Sequence, residues 1–265
     1  MDTGNGEVKH FKIGLLKLEI YSNKKAAGEA AARATAQTLH ELDRRGSPSV
    51  IFATGASQLE TLDALISIPN LPWHNVQGFH LDEYLGIDQN HRASFRRYLR
   101  ENLTRCVHMK EFHEIDGNAR DLDLMCKGYA EKLRLADPQL CLLGIGENGH
   151  LAFNDPSEAN FDDPVAVKIV RLDAVCRKQQ AAEGWFNDFQ EVPEWAITLT
   201  IPAIFRVPKL IISVPGRRKA QIVRRTLEDP ISTNCPATLL RKHPDATIYL
   251  DRESAAELDG LSLSS

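Results

Sequence analysis

Apolar positions along the chain fall into two alternating rhythms. Short, nearly continuous apolar and β-branched runs read as strands: PSVIFAT around residue 50, VQGFHL around 78, QLCLLGIG around 143, WAITLTI around 198, KLIISV around 211 and ATIYL around 248. Between them, small or apolar residues recur every three or four positions, the spacing of a helix face. The segment from Lys25 to Leu42 carries Ala32, Thr35, Leu39 and Leu42 on one side, and SQLETLDAL, SFRRYLRENL, DLDLMCKGYAEKL, AVCRKQQAAEGWF and RRKAQIVRRTL behave similarly. Strands that are apolar throughout and separated by helices predict a doubly wound α/β fold, a largely parallel sheet with helices on both faces. Ligands in such folds bind at the carboxyl ends of the strands.

That rule directs attention to the residues at the end of each strand. PSVIFAT runs into GAS, VQGFHL into DEY, QLCLLGIG into ENGH and KLIISV into PGRRK. Four strand ends thus offer a hydroxyl-bearing glycine turn, a carboxylate pair, an acid-amide-histidine group and a cationic turn. Gly144, Gly146 and Gly149 also spell G-x-G-x-x-G, a dinucleotide fingerprint that has meaning only where its last glycine opens a long helix. Asn154, Asp155, Pro156, Asp162, Asp163 and Pro164 come next instead, a breaker-rich stretch that reads as a loop, so a nicotinamide site is disfavoured.

At 265 residues and 43% apolar composition, the chain is long enough for one large α/β domain, residues 1–265, with 1–10 expected as a flexible tail. No linker or repeat divides it. A net charge of -4 argues against a nucleic-acid-binding surface. The polar start MDTGNGEVKH lacks a secretion signal's apolar core, and no stretch is apolar for the roughly 18 residues that a membrane span requires. The expectation is a cytoplasmic protein with no membrane partner. Cys106, Cys126, Cys141, Cys176 and Cys235 form no C-x-x-C pair and read as reduced packing residues.

Each candidate cluster has a bland and a chemical reading. Thr54, Gly55, Ala56 and Ser57 precede SQLETLDAL; Ser57 reads first as a helix N-cap, and the free N–H groups beside it as an anion site. Asp82 and Glu83 are either solvated loop acids or, ending an apolar strand beside Tyr84 and Leu85, carboxylates with raised pKa suited to act as a base. His150 has Glu147 three residues back and Asp155 five ahead, so a carboxylate can orient it for proton transfer. No second histidine lies at a metal-ligand spacing, and no metal is expected. Arg177, Lys178, Arg217, Arg218 and Lys219 are mostly solvated charges from which one arginine and one lysine can converge on a phosphate.

Together these segments resemble the glucosamine-6-phosphate deaminase/isomerase family, with 6-phosphogluconolactonase related to it, over about Ile20 to Leu258. ATGAS is similar to the family's T-G-G-T phosphate loop and HLDEYLG to its N-x-D-E-Y segment. GIGENGHLAFNDP resembles its G-x-G-x-D/N-G-H-I-A-F-N-E-P signature, and the AFN-acid-P ending favours the deaminase branch over the lactonases. VPGRRKA and HPDATIYLDRESA also fit. The resemblance implies conversion of glucosamine 6-phosphate and water to fructose 6-phosphate and ammonia, without metal or organic cofactor. It implies Asp82 as the base moving a proton from C2 to C1, and His150 as the ring-opening group, oriented by Asn148 and Asp155. It implies that Thr54, Gly55, Ala56, Ser57, Glu83, Arg177 and Lys219 bind substrate. Asn148 stands where the family often has Asp, Asp155 where it usually has Glu, and Ala56 where it has a second glycine. Because the chain ends soon after DRESAAEL, a monomer or small homo-oligomer is expected. A lactonase and a non-catalytic sugar-phosphate sensor are the alternatives. The loops Ser157 to Pro164 and Asn187 to Glu194 are candidate lids.

Overall fold

The strand ends converge because of the order in which the strands are laid down. A computed structural model describes residues 8–258. Its main sheet contains β1 (Lys9–Ile13), β2 (Leu16–Tyr21), β3 (Ser49–Phe52), β4 (Gln77–His80), β6 (Glu111–Phe112), β7 (Leu140–Leu143), β10 (Lys209–Ser213) and β11 (Ala246–Asp251), in the order β1-β2-β11-β10-β7-β3-β4-β6. Every neighbouring pair is parallel except β1 with β2. From β3 the chain builds outward through β4 to β6, then returns to the other side of β3 and builds through β7, β10 and β11. The reversal between β3 and β7 leaves a crevice at their carboxyl ends, where open α/β sheets bind ligands.

Helices cover both faces of this sheet, as the alternating pattern predicts. They are α1 (Lys24–Asp43), α2 (Leu59–Ser67), α3 (Phe95–Leu99, extended by a π-helical turn Arg100–Thr104), α4 (Leu122–Ala136), α5 (Ala174–Ala182), α6 (Ile201–Phe205) and α7 (Ala220–Glu228). α1 is capped by Asn23, whose side chain accepts from Ala26 N, and buries its alanine-rich face against α2 and β11. The central strands β3, β7 and β10 are buried almost end to end. Core residues on one side of the sheet include Ile51, Cys141 and Ile212, and on the other Val50, Leu142 and Ile211, the two-residue alternation of a sheet covered twice.

The sequence pattern departs from the structure in one respect that matters for the site. WAITLTI becomes β9 (Trp195–Leu199) of a separate antiparallel sheet, in the order β5-β9-β8, with β5 (Asp82–Tyr84) and β8 (Val167–Arg171). An apolar run bounded by turns looks the same whether its sheet is parallel or antiparallel. Of the expected flexible tail, residues 1–7 lie outside the described residues, whereas Lys9 and His10 already pair in β1. Among the described residues, no helix is long and apolar enough to cross a membrane.

Candidate active site

A cavity of about 340 Å³ opens at the carboxyl ends of β3, β7 and β10, and residues from all four predicted strand ends border it. Two of its walls are made by the same local structure. After β3, Gly55 adopts φ 97° and a short 3-10 turn, Ala56–Gln58, leads into α2; after β10, Gly216 adopts φ 92° and Arg217–Lys219 leads into α7. The left-handed φ is what requires glycine at both positions, and the turns that carry the N–H groups opening each helix border the cavity. Such N–H groups lack an intrahelical acceptor, and with the positive end of the helix they favour an anion. Ala56 has no positive φ, so a side chain is tolerated where the family carries its second glycine. Ser57 is not the N-cap of α2, which begins after Gln58; its Oγ accepts a 3.2 Å bond from Gln58 Nε2. Thr54, Gly55, Ala56, Ser57 and Lys219 all border the cavity.

Lys219 comes from the second of these turns. It donates to Ile145 O at 2.7 Å, and burial lowers its pKa from the ordinary lysine value, opposed by the charges of Glu183 and Glu147. Arg218 lies 3.7 Å from Glu147 at the rim.

Asp82 and Glu83 separate, because neighbours on a strand face opposite ways. Asp82 borders the cavity at 6% exposure, and burial, reinforced by the nearby Glu83 charge, raises its pKa well above the ordinary carboxylate range. Glu83 points away. It accepts from Ser94 Oγ (2.8 Å), Phe95 N (3.1 Å) and Arg96 N (3.0 Å), which fastens the first turn of α3, and it does not border the cavity. The expected substrate contact at Glu83 is therefore replaced by a structural one.

His150 sits on the turn after β7. His150 O accepts from Gly146 N at 3.0 Å, and the imidazole lies over Gly146 so closely that a Cβ there would come within 2.2 Å of the ring. Its Nδ1 lies 2.9 Å from Asp155 Oδ1, yet makes no hydrogen bond of acceptable angle. The two side chains are 10% and 0% exposed, and the contact becomes an ion pair when the imidazole is protonated. Asn148 organises both partners: its Nδ2 donates to Asp155 Oδ1 (2.9 Å) and Asp173 Oδ2 (3.0 Å), and its Oδ1 accepts from His150 N (3.0 Å). Asp155 Oδ2 accepts from Asp173 N at 3.0 Å. Burial pulls the Asp155 pKa up, but His150, Asn148 and Asp173 N outweigh it and hold the carboxyl below its usual value.

Arg177 does not reach the cavity. Its guanidinium donates to Val192 O and Phe189 O and stacks over the Phe189 ring at 4.3 Å, so it anchors the segment 187–194. Neither candidate lid, 157–164 or 187–194, contributes a lining residue. The residues that sequence reasoning missed come instead from one face of α5. Asp173 caps this helix by accepting from Cys176 N at 2.7 Å, and Cys176, Gln179, Gln180 and Glu183 then follow at three- and four-residue intervals. Gln179 accepts from Glu147 N (2.9 Å) and donates to Glu183 (2.8 Å). The helical spacing after Asp173 was the available signal.

His150, Asp155 and Cys176 bring one potential metal-binding atom each within 4.8 Å of one another, a grouping invisible to sequence spacing because Cys176 belongs to α5. Burial pushes the Cys176 thiol well above its ordinary pKa, which keeps it protonated.

Residues 22–249 match the sequence profile of glucosamine-6-phosphate isomerases/6-phosphogluconolactonase. The chain is 35% identical over 207 residues to a glucosamine-6-phosphate deaminase of Listeria monocytogenes serotype 4a (strain HCC23), covering 78% of this chain and 86% of the relative. It is 32% identical over 211 residues to the same enzyme of Thermoanaerobacter pseudethanolicus (strain ATCC 33223 / 39E), covering 77% and 81%. Among solved structures, a monomeric glucosamine-6-phosphate deaminase superposes with a TM-score of 0.82 at 30% identity, over 91% of this chain and 99% of that one. The 6-phosphogluconolactonase of Trypanosoma brucei, with a TM-score of 0.75 at 18% identity over 94% and 99%, shares the fold. With a profile match over residues 22–249, most of the chain, and relatives above 30% identity, the chain belongs to the family of glucosamine-6-phosphate isomerases and 6-phosphogluconolactonases.

Proposed function

We propose that the protein is a glucosamine-6-phosphate deaminase, converting glucosamine 6-phosphate and water to fructose 6-phosphate and ammonia. One observation carries the reading: Asp82 and His150, the latter backed by Asp155, face one cavity that is also bordered by two anion-ready turns and Lys219. The phosphate binds at Thr54–Ser57 and the turn bearing Lys219, which fixes the far end of the sugar and so orients the reacting carbons. Arg177 takes no part, since its guanidinium is committed to the 187–194 segment.

His150 opens the ring by proton transfer between the anomeric hydroxyl and the ring oxygen. Asp155 balances the imidazolium that forms, and Asn148 holds the two in register. The C2 proton becomes acidic only once C1 is an aldehyde. Asp82 removes that proton and returns it to C1 through an enolamine, leaving an imine at C2. Water adds to C2, the C–N bond breaks and ammonia leaves with fructose 6-phosphate. A base in a nearly dry setting, with its pKa raised toward the working pH, suits this transfer.

The test is direct. Incubation with glucosamine 6-phosphate must release ammonia and fructose 6-phosphate in equal amounts. Acid release from 6-phosphogluconolactone without ammonia from the amino sugar overturns the reading. The same reading makes the protein a single-domain cytoplasmic enzyme, monomeric or a small homo-oligomer, supported by the similar structure described as monomeric.

A further inference from the structure

The α5 wall of the cavity has no role in those proton transfers, yet one of its side chains is held with unusual definition. Gln180 is 7% exposed and borders the same cavity as Asp82 and His150. Its Oε1 accepts the hydroxyl of Tyr84 at 2.7 Å. Tyr84 is fully buried, with its ring wedged among Phe95, Phe153 and Phe186 at centroid distances of 5.0, 5.1 and 5.4 Å. Among the described residues, the phenol has no other acceptor, so its proton fixes which end of the amide is oxygen. Gln180 Nε2 then presents two N–H donors. No described side chain or carbonyl accepts them, and the atom is not among those sealed from solvent without a partner. An oriented donor that meets only cavity space is one kept for a ligand.

The placement indicates which part of the ligand. Tyr84 and Asp82 lie two residues apart on β5 and share its face. The anchor of the amide and the base therefore look the same way, out of the smaller sheet, whereas the anion turns rise from β3 and β10 of the main sheet. We propose that Gln180 is a specificity-determining residue whose carboxamide N–H groups, set by the Tyr84 hydroxyl, donate to a hydroxyl oxygen of the open-chain sugar and not to its phosphate. Tyr84 is the positioning residue. The inference rests on the deaminase reading for its substrate, not for its geometry.

The experiment compares Gln180→Leu, Gln180→Glu and Tyr84→Phe with the parent for turnover of glucosamine 6-phosphate and for competitive inhibition by inorganic phosphate. Leucine keeps much of the volume, glutamate keeps the shape without the donors, and phenylalanine keeps the ring but lets the amide turn. Losing a ligand hydrogen bond from a site that excludes water raises KM about tenfold in both Gln180 variants, and a few-fold in Tyr84→Phe. kcat stays within about threefold and the phosphate inhibition constant within about twofold, because catalysis and phosphate binding use other residues. Parent-like KM in both Gln180 variants overturns the proposal, as does a phosphate inhibition constant that weakens in parallel with KM. A parent that releases no ammonia overturns the deaminase reading instead. Calorimetric binding of fructose 6-phosphate to the same variants then applies the same thresholds to Gln180.

Discussion

Asp155, one methylene shorter than the glutamate usual at its place in the family, still brings Oδ1 to 2.9 Å from His150 Nδ1. Its orientation is fixed from both ends: Asn148 Nδ2 donates to the same Oδ1, and Asp173 N donates to Oδ2 on the far side. Asp155→Asn keeps the size and removes the charge. The expected result is a fall in kcat of about a hundredfold, the scale of a proton-transfer contribution, with KM changed little. Stability gives an independent reading. The Asp155 carboxyl is held below its usual 3.8, so its contribution is full above that pH and is lost as pH falls through the folded value. Denaturant titrations from pH 6 to pH 2 should show less acid destabilisation in the variant.

Asp82 differs in sign. Burial favours its neutral form, so the ionised base accumulates only above the ordinary carboxylate range. The acid limb of kcat/KM is expected to have its midpoint above 3.8, where a solvated aspartate would place it. Asp82→Asn should lower kcat by about 10²- to 10⁴-fold and leave fructose 6-phosphate binding, measured by calorimetry, within a factor of a few. A variant with parent-like turnover removes Asp82 from the mechanism.

Gly146 supplies a steric test of the histidine. Its missing side chain is the space in which the His150 ring lies, 2.2 Å from where a Cβ would be. Gly146→Ala must displace the imidazole, because the added Cβ would overlap its ring atoms. Overpacking of this kind costs about 1–3 kcal/mol, and kcat should fall by more than tenfold while inhibition by inorganic phosphate is unchanged. Parent-like activity would mean that the ring position does not matter.

How much was legible depended on whether a feature is local in sequence. The strand-helix alternation gave β3, β4, β7, β10 and β11 of the main sheet but not β1, β2 or β6, and the strand-end rule puts Thr54, Asp82, His150 and Lys219 around one space from the sequence alone. The carboxylate pair is legible only in part: strict alternation along DEY demands that Asp82 and Glu83 face apart, but nothing local distinguishes a polar loop after an apolar run from the short strand β5. Ser57 looks like a helix cap because the 3-10 turn ahead of α2 is indistinguishable in sequence from the helix itself. Gln180 and Cys176 escape notice because their importance comes from packing of α5 against β5 and the His150 turn, contacts between segments far apart in the chain. Of the two expected phosphate cations Lys219 borders the cavity and Arg177 does not, since a charge pattern identifies arginines and lysines without saying where their long side chains end.

Arg177 and Lys219 therefore make the sharpest pair of variants. Both are candidate phosphate ligands by sequence, but the Arg177 guanidinium is consumed by Val192 O, Phe189 O and the Phe189 ring, whereas Lys219 borders the cavity with its ammonium 2.7 Å from Ile145 O. Lys219→Met keeps the apolar stem and removes the charge. A charge-assisted contact to phosphate contributes about 1.5–3 kcal/mol, so KM for glucosamine 6-phosphate and the inorganic phosphate inhibition constant should rise together by about ten- to a hundredfold. Arg177→Ala should leave the phosphate inhibition constant within a factor of about two and instead release the 187–194 segment, seen as faster amide hydrogen exchange there. If Arg177→Ala weakens phosphate as strongly as Lys219→Met does, the guanidinium must leave Val192 when substrate binds, and the assignment of this arginine to the loop is wrong.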